Sequence, residues 1–562
     1  MKNLKFLSAV AFLFVVMTAC TSRQETMKKE LTDFIRKHDS ILIPLYQQTA
    51  VASWEAAISG KPEDFQKAEA LNLKMMALYA DKDKLKKLEE IKVSGLITDS
   101  LLIRQLDVLY RSFLMAKADT VKLNAMIRLG TTIEQKYGNF RTEVRGKKLS
   151  DNDVEEILRT SKDVKYQQEV WEAQKKIGTV VADDIRKLVK LRNEVATALG
   201  FKNYHEMSLT LGDQDPKEIS DLFTELDTLT KKDFEKVKTD IDDYFVKYYN
   251  LKSRDELMPW SYQNRFFQEA PRIYDVDLDR YYKDKNLEQL ASSYYGGIGL
   301  PIDKIIKNSD LYEKPGKNQH AFCIDIDHAG DVRVLCNIKS NATWMNTMLH
   351  EFGHAVYDLG IDTKLPFILH DPAHTFTTEA IAMLFGRFSS NPQWIKDMTG
   401  ISEEEKMKIA DNCFKSLRLE QLVFSRWAQV MYRFEKGMYE NPDQDLNKFW
   451  WDLVEKYQLM KRPEGRNEPD WATKIHIATY PCYYHNYLLG ELLASQLYYY
   501  IVTNILHSDD FRFQSFAGNQ QVGAFLKEKL FMPGSKWYWN EMIEKATGEK
   551  LTAKYYARQF VE

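Results

Sequence analysis

The sequence predicts a mainly α fold, a single large helical ellipsoid with a deep central groove and one short β-hairpin beside a histidine-bearing helix. Three observations predict it. Apolar residues recur at three- and four-residue steps with charges between them over most of the chain, the period of helices that face a core. No internal repeat, low-complexity tract or long Gly/Ser/Pro-rich linker divides the chain into separate bodies. Only the segment 320–336 alternates in the manner of paired strands.

At the start, residues 1–19 combine Lys2 and Lys5 with the apolar run Phe6 to Met17 and then Thr18-Ala19 before Cys20. That is the layout of an export signal, too short to span a bilayer and excluded from fold reasoning. A small residue directly before a cysteine reads as a lipobox, so Cys20 is expected to be lipidated and to begin the mature chain; simple signal cleavage into the periplasm is the alternative. On either reading the protein is exported, periplasmic or membrane-tethered, and meets the membrane only through an N-terminal lipid anchor. Residues 20–562 then form one domain. The chain is 44% hydrophobic and 28% charged with a net charge of −3, a globular balance that offers no basis for nucleic-acid binding.

From about Arg23 to Tyr312 helix follows helix. Leu31, Phe34 and Ile35, the run Val180 to Leu199 ended by Gly200, and Ile219 to Tyr249 all show the core-facing period. The pattern returns through Ser402 to Tyr457 and from Tyr483 to Leu506, with a surface loop expected at Arg462-Pro-Glu-Gly-Arg466. The 30 Tyr, 29 Phe and 11 Trp are read as core and groove lining. Between the two helical stretches, Cys323 to Cys336 alternates about Ala329-Gly330. A two-residue turn centred there would set Cys323 opposite Cys336, a geometry open to a disulfide, although a change of register separates the pair.

The chemistry gathers in Thr347-Met-Leu-His350-Glu351-Phe-Gly-His354. On a helix, positions i and i+4 share a face, so His350 and His354 can direct ring nitrogens at one Zn²⁺ while Glu351 lies beside the open coordination position as general base. Polar Ser340 and Asn341, the unbroken run Thr343 to Leu359 and Gly360 as a stop support the helix. Downstream, Asp371-Pro-Ala-His reads as a turn, with a cap at Thr377 or Thr378 and Glu379 in the first turn of a second helix. Two such helices packed antiparallel bring His350, His354 and Glu379 to one metal ion per chain and leave a fourth position for water.

Other candidate residues flank this motif. His320-Ala321-Phe322-Cys323 begins the strand pair, and an extended edge beside a metal site lets a peptide add as another strand. Far downstream, Lys474-Ile-His476 and Tyr484-His-Asn-Tyr487 place a cation, an imidazole and tyrosines together, groups able to pair with a carboxylate and to stabilise an oxyanion.

With His350-Glu-Phe-Gly-His354, Glu379-Ala-Ile, His320-Ala, and Lys474-x-His476 followed by Tyr484-x-x-Tyr487, the sequence resembles angiotensin-converting-enzyme-type peptidyl-dipeptidases, which are zinc metallopeptidases. Ala52-Ser-Trp-Glu, Trp171-Glu and Asn193 to Tyr204 extend the likeness over roughly residues 25–560. The resemblance implies that His350, His354 and Glu379 bind zinc and that Glu351 activates water and protonates the leaving amine. It assigns oxyanion stabilisation to His476 and Tyr487, a substrate contact to His320, and main-chain contacts to Ala321 and Cys323. Lys474 and Tyr484, with Gln263, would hold the free C-terminal carboxylate of a short peptide, so that dipeptides are released.

Several positions depart from that pattern. The His350 to Glu379 interval is one residue longer than in the converting enzymes and equals that of thimet-oligopeptidase and oligoendopeptidase relatives, which makes endopeptidase action on short peptides the alternative. An extra residue between His476 and Tyr487 leaves the oxyanion tyrosine open between Tyr484 and Tyr487. Met383 stands where the family has an acidic residue behind the metal ligands, and Asn486 where it has a chloride-binding arginine. A peptide-binding lipoprotein without catalysis is the rival from another class; the presence of Glu351 and all three candidate ligands argues against it.

Overall fold

The computed structural model describes side chains over residues 23–561 apart from 118, 120 and 275. The expected signal segment 1–19 and the lipidation site Cys20 lie outside the described residues.

Five helices open the chain: α1 (Lys2–Ser59), α2 (Pro62–Tyr79), α3 (Lys82–Ser94), α4 (Ser100–Met115) and α5 (Thr120–Asn139). An antiparallel hairpin follows, β1 (Thr142–Val144) and β2 (Lys147–Leu149), and then α6 (Asp151–Thr160), α7 (Val164–Ala198), α8 (Tyr204–Leu211) and α9 (Pro216–Tyr248). Aspartates start many of these helices for one reason. Asp81, Asp99, Asp119, Asp163 and Asp215 each accept a backbone N–H that the first helical turn leaves without a partner. The stretch Asn193 to Tyr204 is a helix–turn–helix. Gly200 takes a left-handed φ of 93° after α7, Asn203 caps α8, and Asn193 accepts from the Tyr204 backbone N–H at 2.9 Å.

Short helices α10 (Asp279–Tyr282), α11 (Leu287–Gly297) and α12 (Asp303–Asn308) lead to the second hairpin, β3 (Phe322–Asp325) and β4 (Val332–Leu335). Then come α13 (Ala342–Gly360), α14 (Thr375–Gly386), α15 (Pro392–Thr399) and the long α16 (Glu403–Glu440). The chain closes with α17 (Leu446–Leu453), α18 (His476–Thr479), α19 (His485–Asn504), α20 (Gln520–Leu526), α21 (Trp539–Thr547) and α22 (Lys554–Phe560). One continuous apolar core runs from Ile133 to Phe560 and takes in α13, α14, α16 and α19. A smaller cluster joins α1, α3 and α4 to Ile368 and Leu369, just ahead of α14.

The mainly α expectation holds, with four local corrections. A second hairpin, β1–β2, lies where the sequence reads as continuous helix; Arg145 and Gly146 turn it with φ of 52° and 76°. In β3–β4 Cys323 pairs with Val334, not with Cys336, and both cysteines are free thiols. The connection is a six-residue loop rather than a two-residue turn because the Asp327 carboxylate gathers the backbone N–H groups of Ala329 (2.8 Å) and Asp331 (3.0 Å). Gly360 belongs to α13 rather than stopping it; a Cβ there would lie 2.8 Å from the Phe531 side chain, so the glycine permits a close approach. Finally, His374 caps α14 in place of Thr377 or Thr378, which puts Glu379 in the second turn.

Candidate metal centre and peptide cavity

Two close helix contacts position the metal-binding group. A Cβ on Gly353 would sit 2.8 Å from the Ala382 Cα, so this glycine, between the two histidines, lets α13 lie against α14. Gly490 does the same for α19, where a Cβ would meet the Met383 sulfur at 3.1 Å and the Glu379 Cβ at 3.4 Å. α13 is opened by Asn341, whose side chain accepts the Trp344 N–H at 2.8 Å. α14 is fixed by His374, whose Nε2–H donates to the Gly212 carbonyl at 2.9 Å while Nδ1 accepts from the Phe376 N–H.

His350, His354 and Glu379 meet where these helices touch. One ligand atom from each lies within 4.8 Å of the others. The two Nε2 atoms are 3.3 Å apart, and the Glu379 carboxylate is 3.7 Å from His350 Nε2. His354 Nδ1 is 2.8 Å from the Thr378 hydroxyl, an acceptor for the Nδ1–H tautomer, the one that metal ligation through Nε2 requires. Two imidazoles and one carboxylate, preset within the reach of one ion, fit the three-ligand site of a catalytic zinc. Sequence reasoning missed Thr378 as the partner that orients His354, because an isolated threonine carries no motif.

Burial governs the electrostatics. Glu351 is 8% exposed, and burial followed by the nearby Glu379 charge pushes its carboxyl up to about 8. Burial, with Glu491 adding, raises Glu379 to about 7. Burial drops His350 to about 4, and drops His354 to about 3 with His350 contributing. Both imidazoles are therefore neutral and ready to ligate at physiological pH.

These residues line a cavity of about 920 Å³. Ala321, just ahead of β3, and Cys323 within it form part of its wall. The Cys323 thiol lies 3.8 Å from the Asp358 carboxylate, and burial raises both groups well above their ordinary values. His320 is exposed and does not line the cavity. Asn486 and Tyr483 do line it; Tyr483 was not singled out in the sequence, and its ring stacks edge-on against Tyr487 at 5.4 Å.

Lys474, His476, Tyr484 and Tyr487 form a contiguous group. The His476 and Tyr484 rings lie 5.3 Å apart, as do Tyr484 and Tyr487, and the Lys474 ammonium stands 5.4 Å from the Tyr484 ring. The Trp427 indole N–H donates to the Tyr484 hydroxyl at 2.8 Å. Both Tyr487 and Tyr483 sit close enough to Glu379 for its charge to help raise them, burial being the larger cause. The amide in contact with Lys474 is Gln268, which accepts its proton at 2.5 Å. Gln263 instead holds a left-handed φ of 58°, with its side-chain oxygen buried and unpaired among the described residues.

Comparison with known proteins agrees with this geometry. A family model described as angiotensin-converting enzyme matches residues 25–254 and 267–560. The angiotensin-converting enzyme of Mesocricetus auratus is 21% identical over 435 residues, covering 71% of this chain and 32% of that protein; the Mus musculus enzyme is 20% identical with the same coverage. A thermostable carboxypeptidase 1 of Pyrococcus furiosus is 26% identical over 251 residues, 41% of this chain and 49% of its own length. The chain thus spans about a third of the length of the converting enzymes it matches. Matched over both halves and carrying the ligand set at the α13–α14 contact, the chain belongs to the angiotensin-converting enzyme family of metallopeptidases.

Proposed function

We propose that the protein is a zinc-dependent peptidyl-dipeptidase that removes dipeptides from the free C-termini of short peptides. The observation that carries the specificity is Lys474. It is 8% exposed, three aromatic rings surround its ammonium within 5.5 Å, and no carboxylate pairs with it among the described residues. A buried ammonium with no direct ion pair among the described residues suits a ligand that brings its own carboxylate, and Tyr484 beside it offers a hydroxyl donor.

Zinc held by His350, His354 and Glu379 would supply a Lewis acid that polarises the scissile carbonyl and acidifies water. Glu351, buried beside these ligands, would take a proton from that water and pass it to the leaving amine, the bound cation favouring its ionised form. His476, with Tyr487 or Tyr484, would donate to the developing oxyanion. Ala321 and Cys323 would hold the peptide backbone along the β3 edge. Residues 20–562 act as one metallopeptidase domain with one catalytic zinc, exported and tethered through Cys20. No helix among the described residues is long and apolar enough to cross a membrane.

Mass spectrometry of the products from one nonapeptide, supplied as free acid and as C-terminal amide, tests the reading. Stepwise, chelator-sensitive loss of C-terminal dipeptides, faster for the free acid and absent in Glu351→Gln, is the expected result. Internal cleavage indifferent to the C-terminus would replace it with an oligoendopeptidase, and tight binding without cleavage with a binding protein.

A further inference from the structure

The cavity wall carries a second cluster of metal-type donors that the peptidase reading leaves unused. We propose that Asp325, His328 and His370 form a second divalent-cation site, of the class that zinc fills, separate from the His350, His354 and Glu379 group.

One ligand atom from each of these three residues lies within 4.8 Å of the others. Asp325 ends β3 and His328 sits in the loop that follows it, while His370 comes from the segment that leads into α14. The site therefore joins two parts of the chain that the fold brings together. Asp325 Oδ1 accepts the backbone N–H groups of Asp327 and His328, which aims Oδ2 at His328 Nδ1, 3.0 Å away. That separation suits two neighbouring ligands of one ion as well as a hydrogen bond. The His328 ring is fixed between Tyr46, stacked at 4.4 Å, and His370, stacked at 4.9 Å.

Two further observations point to a cation. His370 is 4% exposed and lines the cavity, yet neither of its ring nitrogens has a hydrogen-bond partner among the described residues. The His370 ring therefore faces the cavity with its nitrogens open to a ligand there. The cavity lining also contains Asp325, Asp358 and Asp371 together with Glu351 and Glu379, but no lysine or arginine among the described residues. Asp371 Oδ1 stands 4.0 Å from His328 Nε2, so a second carboxylate faces the same group. Imidazole nitrogen with carboxylate oxygen selects Zn²⁺ or Co²⁺ over Mg²⁺ or Ca²⁺. A bound ion would brace the segment before α14, the helix that supplies Glu379 to the catalytic group.

Metal counting tests this without any turnover. The full chain is stripped with chelator, dialysed against buffered free Zn²⁺ and analysed by elemental mass spectrometry, with the absorption spectrum of the Co²⁺ form as a second readout. The wild type should bind two equivalents. His350→Ala combined with His354→Ala should keep one, and because that variant leaves Asp325, His328 and His370 untouched, the result does not depend on whether variants of those residues fold. His328→Asn combined with His370→Asn should also keep one. A single equivalent in the wild type that disappears with His350 and His354 would overturn the proposal. So would retention of two in the His328/His370 variant. If the wall instead recognises a substrate cation, only the KM for peptides bearing Lys or Arg will move and the metal count will stay at one. The peptidase reading survives any of these outcomes, since it rests on the other three ligands.

Discussion

At Thr378 a single hydroxyl favours one tautomer of His354. The contact at 2.8 Å is an acceptor for the Nδ1–H tautomer, the one that metal ligation through Nε2 requires. Thr378→Val keeps the shape and removes the acceptor. Zinc affinity, measured by competition with a chromogenic chelator, should fall roughly 10- to 100-fold, and Thr378→Ser should restore it; unchanged affinity in the valine variant would remove Thr378 from this role. Lys474 allows a prediction of a different kind. Burial, followed by the Arg265 charge, lowers it to about 8, so the ammonium that would attract a C-terminal carboxylate is lost as pH rises through that value. The protonated fraction drops from about 0.9 at pH 7 to about 0.1 at pH 9. The ratio of kcat/KM for a free-acid peptide to that for its amide should therefore decline up to about tenfold over this range. Lys474→Gln should give a low ratio without the slope, and a slope that persists would assign the titration to another group. Sequence alone made His350, His354 and Glu351 legible, because i and i+4 spacing on a helix is a local property, while Glu379 was reached only by pairing that helix with a second one. His328 and His370 were not legible, since their 4.9 Å approach depends on how a hairpin loop meets the segment before α14.

Among helices, the contact between α13 and α14 sets the metal geometry, and it rests on Gly353. Alanine would ordinarily stabilise a helix interior by about 0.5–1 kcal/mol relative to glycine. Here the added carbon would lie 2.8 Å from a backbone atom of α14, which cannot rotate away, and overpacking of this kind costs about 1–3 kcal/mol. Gly353→Ala should lower the thermal midpoint and weaken zinc binding together, because a shift of α14 carries Glu379 with it. Gly130 in α5 is the control: among the described residues nothing lies within 4 Å of its added Cβ, so Gly130→Ala should raise the midpoint slightly and leave zinc binding alone. If both variants behave alike, the close approach is not what holds the site. Element-level reading from the sequence was sound for the long helices, where period and cap agree. It failed at β1–β2 because three-residue strands are too short to display an alternation, and at β3–β4 because the Asp327 carboxylate, not the Ala329-Gly330 pair, shapes the loop.

Across the whole molecule, burial shifts many titrating groups in two opposite directions, and the balance sets a pH of maximum stability. His38, His205, His350, His374 and His476 are each lowered to about 4, and His354 to about 3, with burial the leading cause throughout. The unfolded chain binds protons at these histidines below about 6.5 while the folded chain does not, so stability falls as pH drops below that value. Glu351 and Glu435 are raised to about 8, and Glu379 and Glu420 to about 7, again chiefly by burial. Folded carboxyls hold protons that the unfolded chain releases above about 4.5, so their stabilising effect disappears as pH rises toward 8. Between 4.5 and 6.5 these histidines, joined by His370 and His485, oppose the raised carboxyls, joined by Asp39, Asp358 and Asp371; above 6.5 the histidines no longer contribute and the raised carboxyls set the slope. After chelation the thermal midpoint should therefore peak near pH 6.5 and decline toward pH 8, each carboxyl contributing up to about 1.4 kcal/mol per pH unit. Saturating zinc reverses part of this, because a divalent cation favours the ionised forms of Glu379 and Glu351 and binds only the folded chain. The optimum should move to higher pH with zinc, and the gain in midpoint from zinc should be larger at pH 8 than at pH 6. Equal gains at both values would mean that metal binding is not linked to these two carboxylates. Because α13 and α14 lie within the continuous core, scanning calorimetry of the intact chain at the two pH values reads the linkage directly.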